Sequence, residues 1–224
     1  MILITGDVHC PHDISKLKPD NFPDGHLTKN DYLIVCGDMG IVWDGSKHDE
    51  YWKEWFEQRN YTTLFVDGNH ENHPLLNEYP VVEWHGGKVH QIMPSVLHLM
   101  RGQIFDIEGS SFLALGGAKS HDIEYRIEGL SWWREEVFSQ DDYIEAIRNL
   151  RKRDFLVDYV ISHDCPSHVL PAIGSYLERN EHTDMLEKIY QQIGYTRWYF
   201  GHHHVNMTLP ENMRCLYEDI IEVK

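Results

Sequence analysis

Basic residues are scarce in this chain. Lys and Arg number 20 against 36 Asp and Glu, giving a formal charge of −16 over 224 residues. Long-range steering therefore runs against nucleic acid and anionic membranes, and no basic tract offsets it. No stretch approaches the ~18 apolar residues that a membrane span needs. The opening MILITGD lacks the basic flank, longer apolar run and cleavage site of a secretory leader. Cysteine is sparse: Cys10, Cys36, Cys165 and Cys215 are widely spaced and form no CxxC pair. That spacing disfavours a disulfide framework, and reduced thiols in a cytoplasmic protein are the expectation. Internal repeats, low-complexity tracts and linker-like segments are missing too. One domain over residues 1–224, long enough for a sizeable core, is therefore expected.

Histidine is abundant instead, at 16 of 224 positions, and its longest run is the three residues His202–His204. Six short apolar segments read as buried strands: Ile2–Thr5, Tyr32–Cys36, Leu64–Val66, Phe112–Leu115, Tyr159–Ser162 and Trp198–Phe200. They are short and rich in β-branched or aromatic residues, as buried strands are. Helical spacing falls between them at Glu50–Gln58, at Gln140–Lys152 with Ser139 as N-cap, and at Met185–Ile193 with Gly194 as its terminator. This alternation predicts an α/β fold. Val96–Leu99, Gln103–Ile107 and Arg214–Ile220 have hairpin character, so part of the sheet is expected to be antiparallel. Residues Gly116–Glu136 read as a long functional loop with a short helix.

Chemistry-bearing residues gather where the predicted strands end. The blocks are Gly6-Asp7-Val8-His9, Gly37-Asp38, Gly68-Asn69-His70-Glu71, Ser162-His163-Asp164 and Gly201-His202-His203-His204. The carboxyl ends of strands in an α/β sheet face one crevice. Carboxylates mixed with imidazoles suit Mn, Fe, Co, Ni or Zn. In Asp-x-His and His-x-His the outer residues fall on one side of an extended chain, leaving Val8 and His203 turned away.

The five blocks, in this order over positions 6 to 204, resemble the signature of the calcineurin-like metallophosphoesterase superfamily, in particular its small bacterial or phage-type members. The resemblance implies a two-sheet αββα sandwich and a dinuclear metal-dependent phosphoric ester hydrolase. By position it implies that Asp7, His9 and His204 hold one metal and that Asn69, His163 and His202 hold the other. Asp38 would bridge the two through its two oxygens. Mn is the first choice of metal, with Fe, Ni or Zn admitted by the same donors. His70 would face the substrate as general acid, or as a hydrogen-bond donor to the phosphate, held near by Glu71 or Asp164. Two divalent ions, two aspartates and a bridging hydroxide sum to about +1, so a phosphate is attracted despite the acidic surface. A phosphatase or phosphodiesterase acting on a small phosphorylated substrate follows, with the monoester or diester choice open. The rival readings are a nuclease, which the acidic balance opposes, and a non-catalytic protein-binding module, which the intact ligand set opposes.

The second block departs from the family pattern. Ile41 stands at the fifth position, where a carboxylate or arginine is common, so Asp44 and Arg126 are the candidate substitutes. The segment Gly116-Gly117-Ala118-Lys119-Ser120-His121-Asp122, with Arg126 and Trp132-Trp133, offers a bidentate phosphate grip from Arg126. Its tryptophan pair could stack a base or sugar, although packing is the commoner use. His12, His26, His48, His73, His85, His90, His98, His121, His168 and His182 are read as surface or satisfied loop histidines, with His73 and His121 the candidate exceptions.

Overall fold

Burial along the strands sorts the apolar residues into three layers, seen in a computed structural model that describes residues 1–223. One sheet holds β1 (Ile2–Thr5), β2 (Tyr32–Val35), β3 (Thr62–Phe65), β4 (Val81–Trp84), β5 (Gly87–Met93), β6 (Val96–Leu99) and β13 (Ile220–Glu222). Its order is β13-β1-β2-β3-β6-β5-β4. The second holds β7 (Ile104–Ile107), β8 (Ser110–Leu115), β9 (Leu156–Ser162), β10 (Gly194–Phe200), β11 (Met207–Leu209) and β12 (Met213–Cys215), in the order β11-β12-β10-β9-β8-β7. Parallel pairing runs through β1-β2-β3-β6 and through β8-β9-β10-β12. Antiparallel strands flank both runs.

Side chains alternate across a strand, and β2 shows the consequence. Tyr32 and Ile34 enter the layer between the sheets beside Phe105, Phe112 and Ile161. Leu33 and Val35 face outward onto Trp52 and Phe56 of α1 (Lys47–Glu57). On the far side, Leu113 and Val160 lie under Ala146 and Leu150 of α3 (Gln140–Arg151) and under Leu186 and Ile189 of α5 (Glu181–Tyr190). Two single helical turns, α2 (His73–Leu76) and α4 (Leu170–Ile173), complete the helices. The expected α/β sandwich, with helices outside two mixed sheets, is therefore the architecture found.

Several boundaries differ from the sequence reading, two regions most of all. The last long helix starts at Glu181, because Asn180 accepts hydrogen bonds from the amides of His182 and Thr183 at 2.9 and 3.1 Å. It ends at Tyr190, and Gly194 is the first residue of β10 rather than a helix terminator. A Cβ there would lie 2.7 Å from Cδ2 of Leu156, so the glycine serves close strand packing. The segment Arg214–Ile220 divides between two sheets. β12 pairs with β10, and β13 crosses over to pair with β1. Ser139 caps α3 as expected, in a reciprocal pair with Asp142.

Candidate metal centre

Strands β1, β2, β3, β9 and β10 all end at the same edge of the sandwich, and the loops that leave them converge there. The predicted residues do not stand on extended strand. β1 ends at Thr5 and β10 at Phe200, and His9, Asp38, His202 and His204 have φ of 40, 51, 67 and 51°. Four non-glycine residues in the left-handed region carry a backbone cost, and such strain gathers at functional sites. The outer residues of Asp-x-His and His-x-His do converge, but through these turns rather than through strand alternation. Glycine supplies the room. A Cβ on Gly68 would meet Oδ1 of Asp38 at 2.1 Å, and one on Gly201 would meet Oδ1 of Asp7 at 2.2 Å.

Two donor groups with no residue in common result, and a third, His9, Asp38 and His70, spans them. Asp7, His9 and His204 offer atoms that lie within 4.8 Å of one another, and so do Asp38, His163 and His202. Oδ2 of Asp38 joins them, at 3.0 Å from Nε2 of His9 and 3.1 Å from Nε2 of His163. Oδ1 of Asp38 accepts the amide of His70 at 2.8 Å. One carboxylate oxygen is therefore shared between the groups, where the resemblance implied two. Asn69 is buried, and its amide nitrogen points to Oγ of Ser120 at 3.3 Å.

The donors suit a divalent cation. Oδ2 of Asp7, Oδ1 of Asn69 and Nε2 of His163 are buried and make no hydrogen bond among the described residues. Buried polar atoms are seldom left so. Nε2 of His204 is 3.1 Å from Oδ2 of Asp7, yet the pair is not aligned as a hydrogen bond. Contacts of 3.0 to 3.1 Å among these donors bring them close enough to share an ion. Neighbours also fix the tautomers. Nδ1 of His163 donates to the carbonyl of Cys36 at 2.6 Å, which turns Nε2 toward the site. Nδ1 of His9 meets Oδ2 of Asp13 at 2.8 Å. Burial by itself lowers both imidazoles, but the Asp38 carboxylate overrides it and lifts His9 to about 9 and His163 to about 10. The same negative field that holds those protons favours a cation.

Other predicted roles shift. Neither Glu71 nor Asp164 holds His70. Glu71 accepts the amides of Met39, Gly40 and Gly68 at 2.7, 3.1 and 2.5 Å, tying two site loops together. Asp164 pairs with Nε2 of His203 at 3.1 Å, so His203 is held inside rather than turned to solvent. Cys165 joins these two in a further group of donors that are already satisfied. Nε2 of His70 instead meets Nη2 of Arg126 at 3.3 Å. A guanidinium only donates, so this nitrogen accepts and the ring is neutral. Burial agrees, pulling His70 below its ordinary value. Arg126 is steadied by Asp122 at 2.7 Å.

The segment from Gly116 to Glu136 carries this arginine across the site. It holds two short 3-10 turns, Ile123–Tyr125 and Arg134–Glu136. His121 stacks on His202, with their Nε2 atoms 3.2 Å apart. Trp133 is buried and meets Trp43 edge-on at 5.1 Å, so packing is its role. Sequence reading overlooked Trp43, Asp13 and Lys16. The ammonium of Lys16 donates to the carbonyls of Gly6, Asp7 and Tyr217. A carboxylate four residues after His9 was a usable signal for Asp13. Lys16 had none, because its partners are backbone atoms. At the fifth position of the second block Ile41 is buried, and Asp44 is exposed three residues on.

Four of the histidines read as surface or loop residues, His73, His90, His98 and His182, are buried. Burial holds His73 and His182 at about 4, against an ordinary 6.5. His90 moves the same way for the same reason. A group with a lowered folded pKa stabilises above its unfolded value and loses that contribution as pH falls. Below pH 6.5 the unfolded chain binds these protons and the native chain does not. Stability should therefore fall from about pH 6.5 to 4, by ~1.4 kcal/mol per pH unit for each buried histidine involved. His9 and His163, raised, are charged in both states over that range and do not oppose the trend. Urea unfolding midpoints at pH 7, 6, 5 and 4.5 check this, and a flat profile would contradict it.

A family model for the calcineurin-like phosphoesterases matches residues 1–206. The chain belongs to that family, whose members are metal-dependent phosphoester hydrolases. No curated protein matches the chain significantly. No helix among the described residues is long and apolar enough to cross a membrane.

Proposed function

We propose that the protein hydrolyses a small phosphate ester at a dinuclear metal site, as a phosphatase or phosphodiesterase. Asp7, His9 and His204 would hold one ion, Asn69, His163 and His202 the other, and Asp38 both. The observation that carries this reading is the shared Oδ2 of Asp38, 3.0 Å from His9 and 3.1 Å from His163. Two divalent ions, with Mn the first choice, would supply the positive charge that draws a phosphate and the acidity that makes water nucleophilic. The protein's own residues bind the ester and manage protons. Arg126 donates to the phosphoryl oxygens, a bidentate capacity that lysine lacks. Doing so releases Nε2 of His70, which takes up a proton and delivers it to the leaving oxygen.

Replacing His70 by Ala should lower kcat by ~10²–10⁴-fold for an alkyl phosphate. The loss should shrink for 4-nitrophenyl phosphate, whose leaving group needs no proton. Bound metal, measured by atomic emission, should stay unchanged. An equal loss on both esters would remove the acid role. Loss of metal would make His70 a ligand instead.

A further inference from the structure

Beside the donor cluster lies a cavity of about 700 Å³. His9, His70 and His204 form the wall that it shares with the cluster, and Trp43 and Tyr217 extend that wall outward. Both rings are held in place. Trp43 lies nearly parallel to His70, with centroids 6.2 Å apart and planes at 23°. Trp133 braces it edge-on. Tyr217 stacks on His204 at 4.7 Å and 13°. Carboxylates outnumber fixed cations in the lining, where the raised His9 is already paired with Asp13 at 2.8 Å. Asp13, Asp44 and Asp49 contribute to the lining, and no Lys or Arg does among the described residues. Arg126 reaches His70 from the Gly116–Glu136 segment and is not part of the cavity wall.

We propose that this cavity receives the alcohol half of the substrate, and that this alcohol is a planar aromatic group, uncharged or cationic, such as a nucleoside or benzylic alcohol. The inference rests on the phosphoester reading above, in which phosphorus sits at the donor cluster. His70 faces both spaces, so the leaving oxygen points into the cavity. Water forms the new P–O bond and gives up a proton to solvent, the P–O bond to the alcohol breaks, and the alkoxide takes the proton that Nε2 of His70, neutral while it accepts from Arg126, has first taken up from solvent. A flat ring can stack on Trp43 and Tyr217. An anionic leaving group, such as the second phosphate of an anhydride, would lie beside Asp44 with no Lys or Arg to meet it among the described residues, and His9 is already paired with Asp13 and Asp38. Esters are thereby selected over phosphoanhydrides.

Four substrates with alcohols of similar acidity test this on the Mn-loaded full chain: benzyl, butyl, 4-carboxybenzyl and 4-(aminomethyl)benzyl phosphate. Benzyl phosphate should exceed butyl phosphate in kcat/KM by about 3- to 10-fold, the range of one aromatic pairing. The carboxylate should lower kcat/KM by about tenfold or more, through like-charge juxtaposition. The ammonium should not lower it. Trp43→Leu should erase the benzyl advantage, chiefly through KM, and Asp44→Asn should narrow the gap between carboxylate and ammonium. The matching phosphonates resist hydrolysis, and calorimetry should rank their dissociation constants in the same order. Butyl equal to benzyl, or carboxybenzyl as good as benzyl, would overturn the proposal. If turnover is nil but the phosphonate ranking holds, the hydrolytic reading fails and the cavity assignment stands.

Discussion

Asp38→Asn is expected to lower phosphoester turnover by more than about 10⁴-fold, beyond what loss of a general acid costs. Bound metal should fall from two ions per chain to one or none. The reason is geometric. Oδ2 of Asp38 lies near both donor groups, and Oδ1 is committed to the amide of His70. An amide side chain can still accept that amide through its oxygen. It must then turn an NH₂ group toward His9 and His163, and this group has no lone pair for a metal. The variant should fold, since Asn matches Asp in volume. Its folding can be checked by circular dichroism before emission spectroscopy counts the metal. Two ions retained with near-normal turnover would remove the shared-carboxylate arrangement. One ion retained with residual turnover would show that a single donor group suffices.

Arg101→Met is expected to destabilise the protein by ~3–5 kcal/mol, the usual cost of removing one partner of a buried ion pair. Asp67 is buried at the end of β3, immediately before Gly68-Asn69. Its Oδ2 receives Nε of Arg101 at 2.9 Å and Nη2 at 2.5 Å, and its Oδ1 meets Nε2 of His98 at 3.1 Å. Burial by itself would raise this carboxyl, but Arg101 pulls it well below the ordinary range. Without the arginine the carboxylate keeps only the imidazoles of His98 and His73 beside it, at 3.1 and 3.6 Å. Arg101 also donates to the carbonyls of Glu135, Glu136 and Val137 at 2.9, 3.1 and 3.0 Å. The segment that carries Arg126 is thus fastened at its far end, and KM should rise with the loss of stability. Urea unfolding and steady-state kinetics measure the two effects. The double variant Arg101→Met with Asp67→Asn should recover part of the stability, because no unpaired charge then remains. A loss below about 1 kcal/mol in the single variant would show that water reaches the carboxylate.

The donor-bearing blocks were legible because each is local. A short apolar run, a glycine and a chemistry-bearing residue lie within a few positions of one another. The same locality exposed the α/β alternation and the Ser139 cap. Strands β4 and β5 went unread, since Val81–Trp84 is half exposed at a sheet edge and Gly87–Met93 mixes His and Gln with apolar residues. Paired histidines hid their burial for a related reason. His90 and His98 face each other across β5 and β6, with Nδ1 atoms 2.9 Å apart. Each satisfies the other only after the strands pair.

By itself, the sequence determined the make-up of the converging blocks: which residues follow the strand ends, and that they are carboxylates, imidazoles and one amide. Those properties reside in residue type and near-neighbour order. Tertiary structure decided how the donors meet. It turned His9, Asp38, His202 and His204 into left-handed backbone, gave one oxygen of Asp38 to both donor groups, and moved the support of His70 from Glu71 to Arg126. It also opened an acidic aromatic cavity from Trp43 and Tyr217, which stand 174 positions apart. Residues that far apart line one cavity only in the folded chain, and no local pattern encodes that arrangement.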